Sequence, residues 1–501
     1  MLPITILRAL TAALLGASAT LAPAAAPLGF DDARHLLSRT VFAPPPAQIE
    51  AFARLTRAQA VERLLDGAST PRVTPAPAWV NEPVTTPQAL RNMTREERQL
   101  WNRRNVARVL EMRGWWLQEM VATPTPFTEK MVLFWHNHFV SSQQKVRQSQ
   151  YLYRQNLLFR EHALGNFGAL LHAIARDPAM VIYLDSASNR KGQPNENFAR
   201  EVMELFTLGE GHYGERDVKE AARAFTGLGV DPEKGEFLFR PQVHDDGVKT
   251  VLGRSGNFDG KAVLDILLEQ PQTAEFIVGK LWREFVSPDV NAANAAEVKR
   301  IAAVFRDSRY DVRAALRAML MSDAFYAPQN RATLVKSPVD LVAGTLRQFQ
   351  FAATDVAPFA LVVGRLGQNL FAPPNVRGWP GGEAWINSST LLARKQFLDR
   401  LFVSEAGRAP PAMAAMVTTM AANAPAPAPE MTPGAAMNQR LQRAFGQLYF
   451  ETDRWMSLAG SDVAQVQRQV LAMAPRHALP PDASGIEMVR RLTQDPVYQL
   501  K

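Results

Sequence analysis

Two histidines, His136 and His138, stand in the segment MVLFWHNHFV at 131–140, which is otherwise apolar apart from Asn137. Imidazole is a common protein ligand for transition metals and the usual proton carrier near neutral pH. A segment that is apolar on every side belongs inside the protein, where imidazoles and amides need partners. Each polar group left unpaired there costs about 1–3 kcal/mol. On a helix, residues i and i+2 point about 160° apart and cannot readily share a metal; on a strand they lie on one face and can. The residue types allow either state, although Thr128-Glu129-Lys130 resembles a helix start. The pair is therefore open to two readings, a shared divalent metal or two hydrogen-bonded core histidines.

A second constellation, Asn195-Glu196-Asn197-Phe198-Ala199-Arg200-Glu201-Val202-Met203-Glu204, reads as a helix from about 196 to 208. Phe198, Val202, Leu205 and Phe206 form its apolar stripe, with Asn197, Arg200 and Glu204 opposite. Glu196, Arg200 and Glu204 then make an i, i+4 ion-pair ladder, a candidate structural network. Glu201 lies at the stripe's border, where a partly buried carboxylate could reach a histidine or a metal, with Glu204 in reserve. His136, His138, Glu201 and Glu204 are thus the candidate metal ligands. The third constellation is His244-Asp245-Asp246-Gly247 with Lys249. Asp-Gly between two β-friendly runs predicts a hairpin over 236–253, and a His-Asp pair at its tip could supply a ligand or a general base. Glu201, His244 and Asp245 are the catalytic candidates, and Asp217 is the expected N-cap of a following helix. Asp185 to Glu196 does not make a calcium loop, because Ala187 and Arg190 stand where a ligand and a glycine are needed.

The elements that must hold these groups are helical. Of 501 residues, 47% are apolar and 21% charged, a globular balance. There is no cysteine, which excludes disulfides, thiol catalysis and cysteine-ligated metal centres. No G-x-S-x-G, H-E-x-x-H, phosphate-loop or dinucleotide fingerprint occurs, which disfavours the commonest secreted hydrolases. The net charge of +8 comes from 44 Arg and 12 Lys with no dense basic block, so a nucleic-acid groove is not indicated. Residues 1–26 carry Arg8, an apolar run and small-residue sites, the layout of an export signal cleaved near Ala24–Ala26. A mainly α body is expected over 27–405, with a Pro-rich exposed loop at 67–90 and a long helix from Thr94 to about Val121, broken by the TPTP at 123–126. The Gly- and Pro-rich segment 364–392 carries Trp379 and Trp385, so it should pack onto the body. An Ala/Pro/Met-rich flexible insert at 406–436 and a helical segment at 437–501 complete the plan.

In order along the chain, ARHLLSRTVFAP (33–44), EKMVLFWHNHFVSS (129–142), PNENFAREVMELFTLGEGHY (194–213), HDDGVKTVLG (244–253), KLWREFVS (280–287) and PPNVRGWPGGEAWINSSTLLAR (373–394) resemble the bacterial domain-of-unknown-function 1800 family. The resemblance covers most of 30–400. Gly214 stands where that family often has Thr, and Val202 where Leu is usual. It implies bacterial origin, a periplasmic or secreted location and a helical body. It also implies a partner, an exported protein of the domain-of-unknown-function 1501 family, whose members resemble alkaline-phosphatase or sulfatase-type proteins. The family's motif residues correspond to His136, His138, Glu196, Arg200, Glu201, Glu204, His244 and Asp245. Two functions follow as expectations: an envelope protein that binds or assembles with another secreted protein, or a metal-dependent, hydrolase-like enzyme.

Overall fold

The computed structural model describes residues 26–67, 71–352, 355–403, 431–460, 462–480 and 483–501. The expected export signal at 1–26, apart from Ala26, and most of the expected 406–436 insert lie outside the described residues. Helix makes up 63% of the structure, and the strands form two small two-stranded sheets, so the chain is mainly α.

The helices begin where local chemistry says they should. At the head of the helix Arg95–Ala122, the Thr94 hydroxyl accepts from the Glu97 N–H at 3.2 Å, and the Glu97 carboxylate accepts from the Thr94 N–H at 2.8 Å. That reciprocal cap satisfies two backbone donors the helix itself leaves open. Pro124 cannot extend this helix, and Pro126 occupies the first turn of the next, Pro126–His138. Thr128-Glu129-Lys130 lie inside that helix, just past its start. It is buried along almost its whole length, as its composition requires.

Its few charged side chains are paired. Glu129 accepts two bonds of 2.7 Å from Arg160 on the helix Ser149–Glu161, and one of 2.9 Å from the Trp116 indole. Lys130 donates to Asp340, the N3 residue of the helix Pro338–Gln348. Trp116, Trp135, Trp282 and Trp455, from four separate regions, are among the largest fully buried side chains. They belong to one continuous core. Two C-terminal helices complete it, Pro433–Gln447 against Arg95–Ala122 and Gly485–Gln494 against Ser388–Val403. No described helix is long and apolar enough to cross a membrane.

Three expectations are corrected. The single hairpin over 236–253 is instead two hairpins. Phe237–Phe239 pairs backwards with Leu228–Val230, and Lys249–Val251 pairs forwards with Arg254–Gly256. Pro241 lacks the N–H needed to continue a ladder. Better turns lie on either side: the Asp231 carboxylate caps the Glu233 and Lys234 amides, while Leu252 and Gly253 both take positive φ, as a tight hairpin turn requires. The loop at 67–90 is not wholly exposed. Trp79 and Val80 tuck into the core on a short 3₁₀ turn, with the Trp79 indole donating to Glu111 at 2.8 Å. Asp217 is not an N-cap either, since its helix starts two residues earlier at Glu215. Its carboxylate accepts from the Gly214 and Leu252 amides, tying that helix to the second hairpin.

Candidate functional site

The helical state of Pro126–His138 sends its two histidines to different surroundings. The His136 ring lies in an aromatic cage, 5.3 Å from Trp116, 5.2 Å from Phe371 and 5.7 Å from Trp379, on which it is nearly stacked. Neither ring nitrogen has a hydrogen-bond partner. Desolvation pushes its pKa down to about 4, partly offset by its own backbone, so the ring is neutral. His138 is equally buried but fully partnered. Its Nε2 lies 3.2 Å from the Phe206 carbonyl, and its Nδ1 3.0 Å from Lys280 Nζ. A carbonyl can only accept and an ammonium only donate, so the proton sits on Nε2 and Nδ1 accepts. Desolvation, reinforced by the Lys280 charge, holds this imidazole well below its ordinary pKa.

Those contacts are made to the end of an irregular helix. The helix Asn197–Glu201 runs on as a π turn over Val202–Thr207. The amides of Leu208 and Gly209 both reach back to the Met203 carbonyl, at 2.8 and 3.1 Å. The carbonyls of Leu205 and Phe206 fall in the last turn, where a helix leaves its carbonyls without an amide partner. Here they receive Lys280 (3.2 Å) and His138 instead. Such single π turns occur often at functional sites.

Glu204 lies in the same turn. Arg200 bonds Glu196 at 3.0 Å, the first rung of the expected ladder. The second rung does not form: Arg200 takes Glu215 at 2.7 Å, while Glu204 accepts from Tyr213 at 3.0 Å and Arg377 at 2.8 Å. Glu201 is half-buried, and desolvation, with Glu204 adding to it, raises its carboxyl pKa. Among the described residues, no three His, Asp or Glu side chains come together as metal ligands.

The hairpin candidates have local partners. His244 Nδ1 lies 3.0 Å from the Thr226 carbonyl. Asp245 is gripped by Arg223 at 2.8 and 3.1 Å, and this bond pulls its pKa down to about 2. It also caps the Gly247 amide at 2.9 Å, so it is an ionised turn residue with its oxygens engaged.

A cleft of about 400 Å³ opens at the C-terminal end of the buried helix. Asn137 and His138 line it from that helix, Lys280, Arg283 and Glu284 from the helix Pro271–Phe285, and Asp340 and Lys501 from a third side. The segment carrying Trp379 and Trp385 covers it, both rings only 4% and 6% exposed. Asn137 pins this cover by accepting the Trp379 amide at 2.7 Å. The approach is so close that a Cβ at Gly378, whose φ is +86°, would fall 2.2 Å from Asn137 Oδ1. Lys280 and Arg283 did not stand out from sequence. A usable signal existed, because Lys280 borders the buried stripe of Ala274, Ile277 and Leu281, an unusual place for a lysine. Desolvation, then the neighbouring Arg283 charge, lowers the Lys280 pKa to about 8.

A family model described as "Protein of unknown function (DUF1800)" matches residues 35–500, running on well past the motifs that end near 394. No curated protein and no solved structure matches the chain.

Proposed function

The chain belongs to the DUF1800 family, and from that premise and its own cleft we propose that it is an exported binding protein of the bacterial envelope, with the tryptophan-covered cleft as its ligand seat. The observation that carries this reading is the pinned cover. Asn137 and Gly378 hold Trp379 against the end of the buried helix, beside an open cleft of about 400 Å³ lined by aromatic and polar side chains. That size and mixture suit a small organic molecule or the tip of a partner's chain. The His138–Lys280–Leu205–Phe206 network keeps the walls rigid, since every member has a partner. The partner implied by family resemblance, an exported domain-of-unknown-function 1501 protein, fits the assembly side of this reading.

The test is fluorine NMR of protein labelled with 5-fluorotryptophan, titrated with a library of small aromatic and acidic fragments. Binders are expected to shift the Trp379 and Trp385 resonances, assigned from Trp→Phe variants, and to leave Trp282 and Trp455 in place. A library that moves neither cleft resonance would overturn the reading. The export part is checked separately, by cell fractionation and the N-terminal sequence of the mature protein, where an uncleaved cytoplasmic chain would refute it.

The metal-dependent reading draws on His136, His138, Glu201 and Glu204. These have separate surroundings: an aromatic cage for the first, Lys280 and a carbonyl for the second, Arg377 and Tyr213 for the last. Metal analysis of protein purified without chelator, beside a His136→Ala/His138→Ala control, tests it directly.

A further inference from the structure

Lys280 and Arg283 stand one helical turn apart on Pro271–Phe285 and both line the cleft. They are close enough to repel, yet neither has a carboxylate partner among the described residues. The two carboxylates in the same walls are already engaged. Asp340 is shared by Lys130 and Lys501, and Glu284 lies 3.8 Å from each of those two lysines. Arg377, at the edge, is held by Glu204 and Glu210. Two cations left facing each other beside a cavity are unfavourable until an anion joins them.

The hydrogen bonds of Lys280 sharpen this. Its ammonium carries three donors, and the protein takes two, at His138 Nδ1 and the Leu205 carbonyl. His138 cannot turn away, because its other nitrogen must donate to Phe206. Beyond these two, the ammonium meets only the face of the Phe276 ring, 5.0 Å to its centroid, so no further oxygen or nitrogen of the protein accepts from it, and Arg283 adds a planar fork of donors.

We propose that Lys280 and Arg283 form an oxyanion site, at which the cleft holds the carboxylate or phosphate of a small organic molecule whose apolar body lies against Trp379 and Trp385. Lysine supplies a fixed point charge and arginine a bidentate partner, a combination suited to either oxyanion. His138 is a positioning residue in this site, since it orients Lys280 without itself facing the anion. The proposal rests on the ligand-seat reading above.

The experiment is isothermal titration of the intact mature protein with three probes of similar size: phenyl phosphate, phenylacetate and the neutral 2-phenylethanol. At least one anion is expected to bind tenfold or more tightly than the alcohol, and to weaken as salt is raised. Arg283→Gln, at an exposed position that leaves the fold intact, should remove most of that advantage, and Lys280→Met the rest. Preference for phenyl phosphate or for phenylacetate identifies which oxyanion the site takes. Binding of all three probes alike, or an anion preference unchanged in both variants, would overturn the oxyanion site while leaving the seat standing. Binding of none of them would overturn both.

Discussion

His136 and His138 are two residues apart on one helix, and the regions on either side of that helix are built on different physics. Around His136 the contacts are rings: Trp116, Phe159, Phe371 and Trp379 close on an imidazole whose nitrogens bond to nothing. Around His138 the contacts are directed: a carbonyl, a lysine and, beyond them, a cleft with charged walls. The first region depends on shape and on a neutral ring, the second on directed bonds between His138, Lys280 and the helix-end carbonyls. An orphaned buried imidazole is costly, so its presence in a well-packed cage marks a place where packing under the Trp379 cover outweighs hydrogen bonding.

The contrast can be broken from the polar side. Asp340 compensates Lys130, a residue of the same helix, and Lys501, and their charges hold its carboxyl far below the ordinary range. Asp340→Asn leaves two buried cations with only Glu284, at 3.8 Å from each. It is expected to lower the unfolding free energy by about 3–5 kcal/mol, read from urea melts at neutral pH.

The next effect comes from pH. His136 is neutral in the folded protein down to about pH 4, whereas the unfolded ring takes a proton near 6.5. Below pH 6.5 the unfolded chain binds more protons, so stability falls as the pH drops from 6.5 towards 4, by on the order of 3 kcal/mol for this ring. Above pH 6.5 the ring contributes no pH dependence. His136→Leu should make that part of the stability–pH curve shallower, leaving the share of His138 and His35, whose pKa values burial also lowers; an unchanged curve would show that the cage admits a proton.

The two leucine variants, compared at pH 7.5, sharpen the contrast further. His136→Leu loses no hydrogen bond and keeps the volume, so its cost should stay below about 1.5 kcal/mol. His138→Leu strands the Phe206 carbonyl and one donor of Lys280, for about 1–3 kcal/mol. Equal costs would erase the distinction between the regions. The smallest effect is expected at the surface: Arg200→Ala removes exposed pairs with Glu196 and Glu215. It should change stability by less than about 1 kcal/mol, and less again in high salt, while ligand binding in the cleft is unaffected.

Much of this architecture is legible in the residues themselves. Thr94 and Glu97 announce the long helix, the prolines at 124 and 126 separate it from the next, and Trp379 and Trp385 mark a loop that must be packed. The hairpins were harder, because two β-friendly runs around Asp246-Gly247 look paired until Asp231 and Leu252-Gly253 offer each a nearer partner. The π turn leaves no such trace. Its residues read as ordinary helix, and Glu204 meets Tyr213 and Arg377 where the helical pattern offers Arg200.

Residue types and their local spacing dictate a mainly α protein with a buried histidine-bearing helix, since apolar periodicity and caps act between residues a few positions apart. Which histidine would be dry and which wired to a lysine was decided only by the tertiary structure. Lys280 lies 142 residues from His138, and the Trp379 amide 242 residues from Asn137. Contacts over such separations arise from how whole helices pack, and no local pattern of residues encodes that packing.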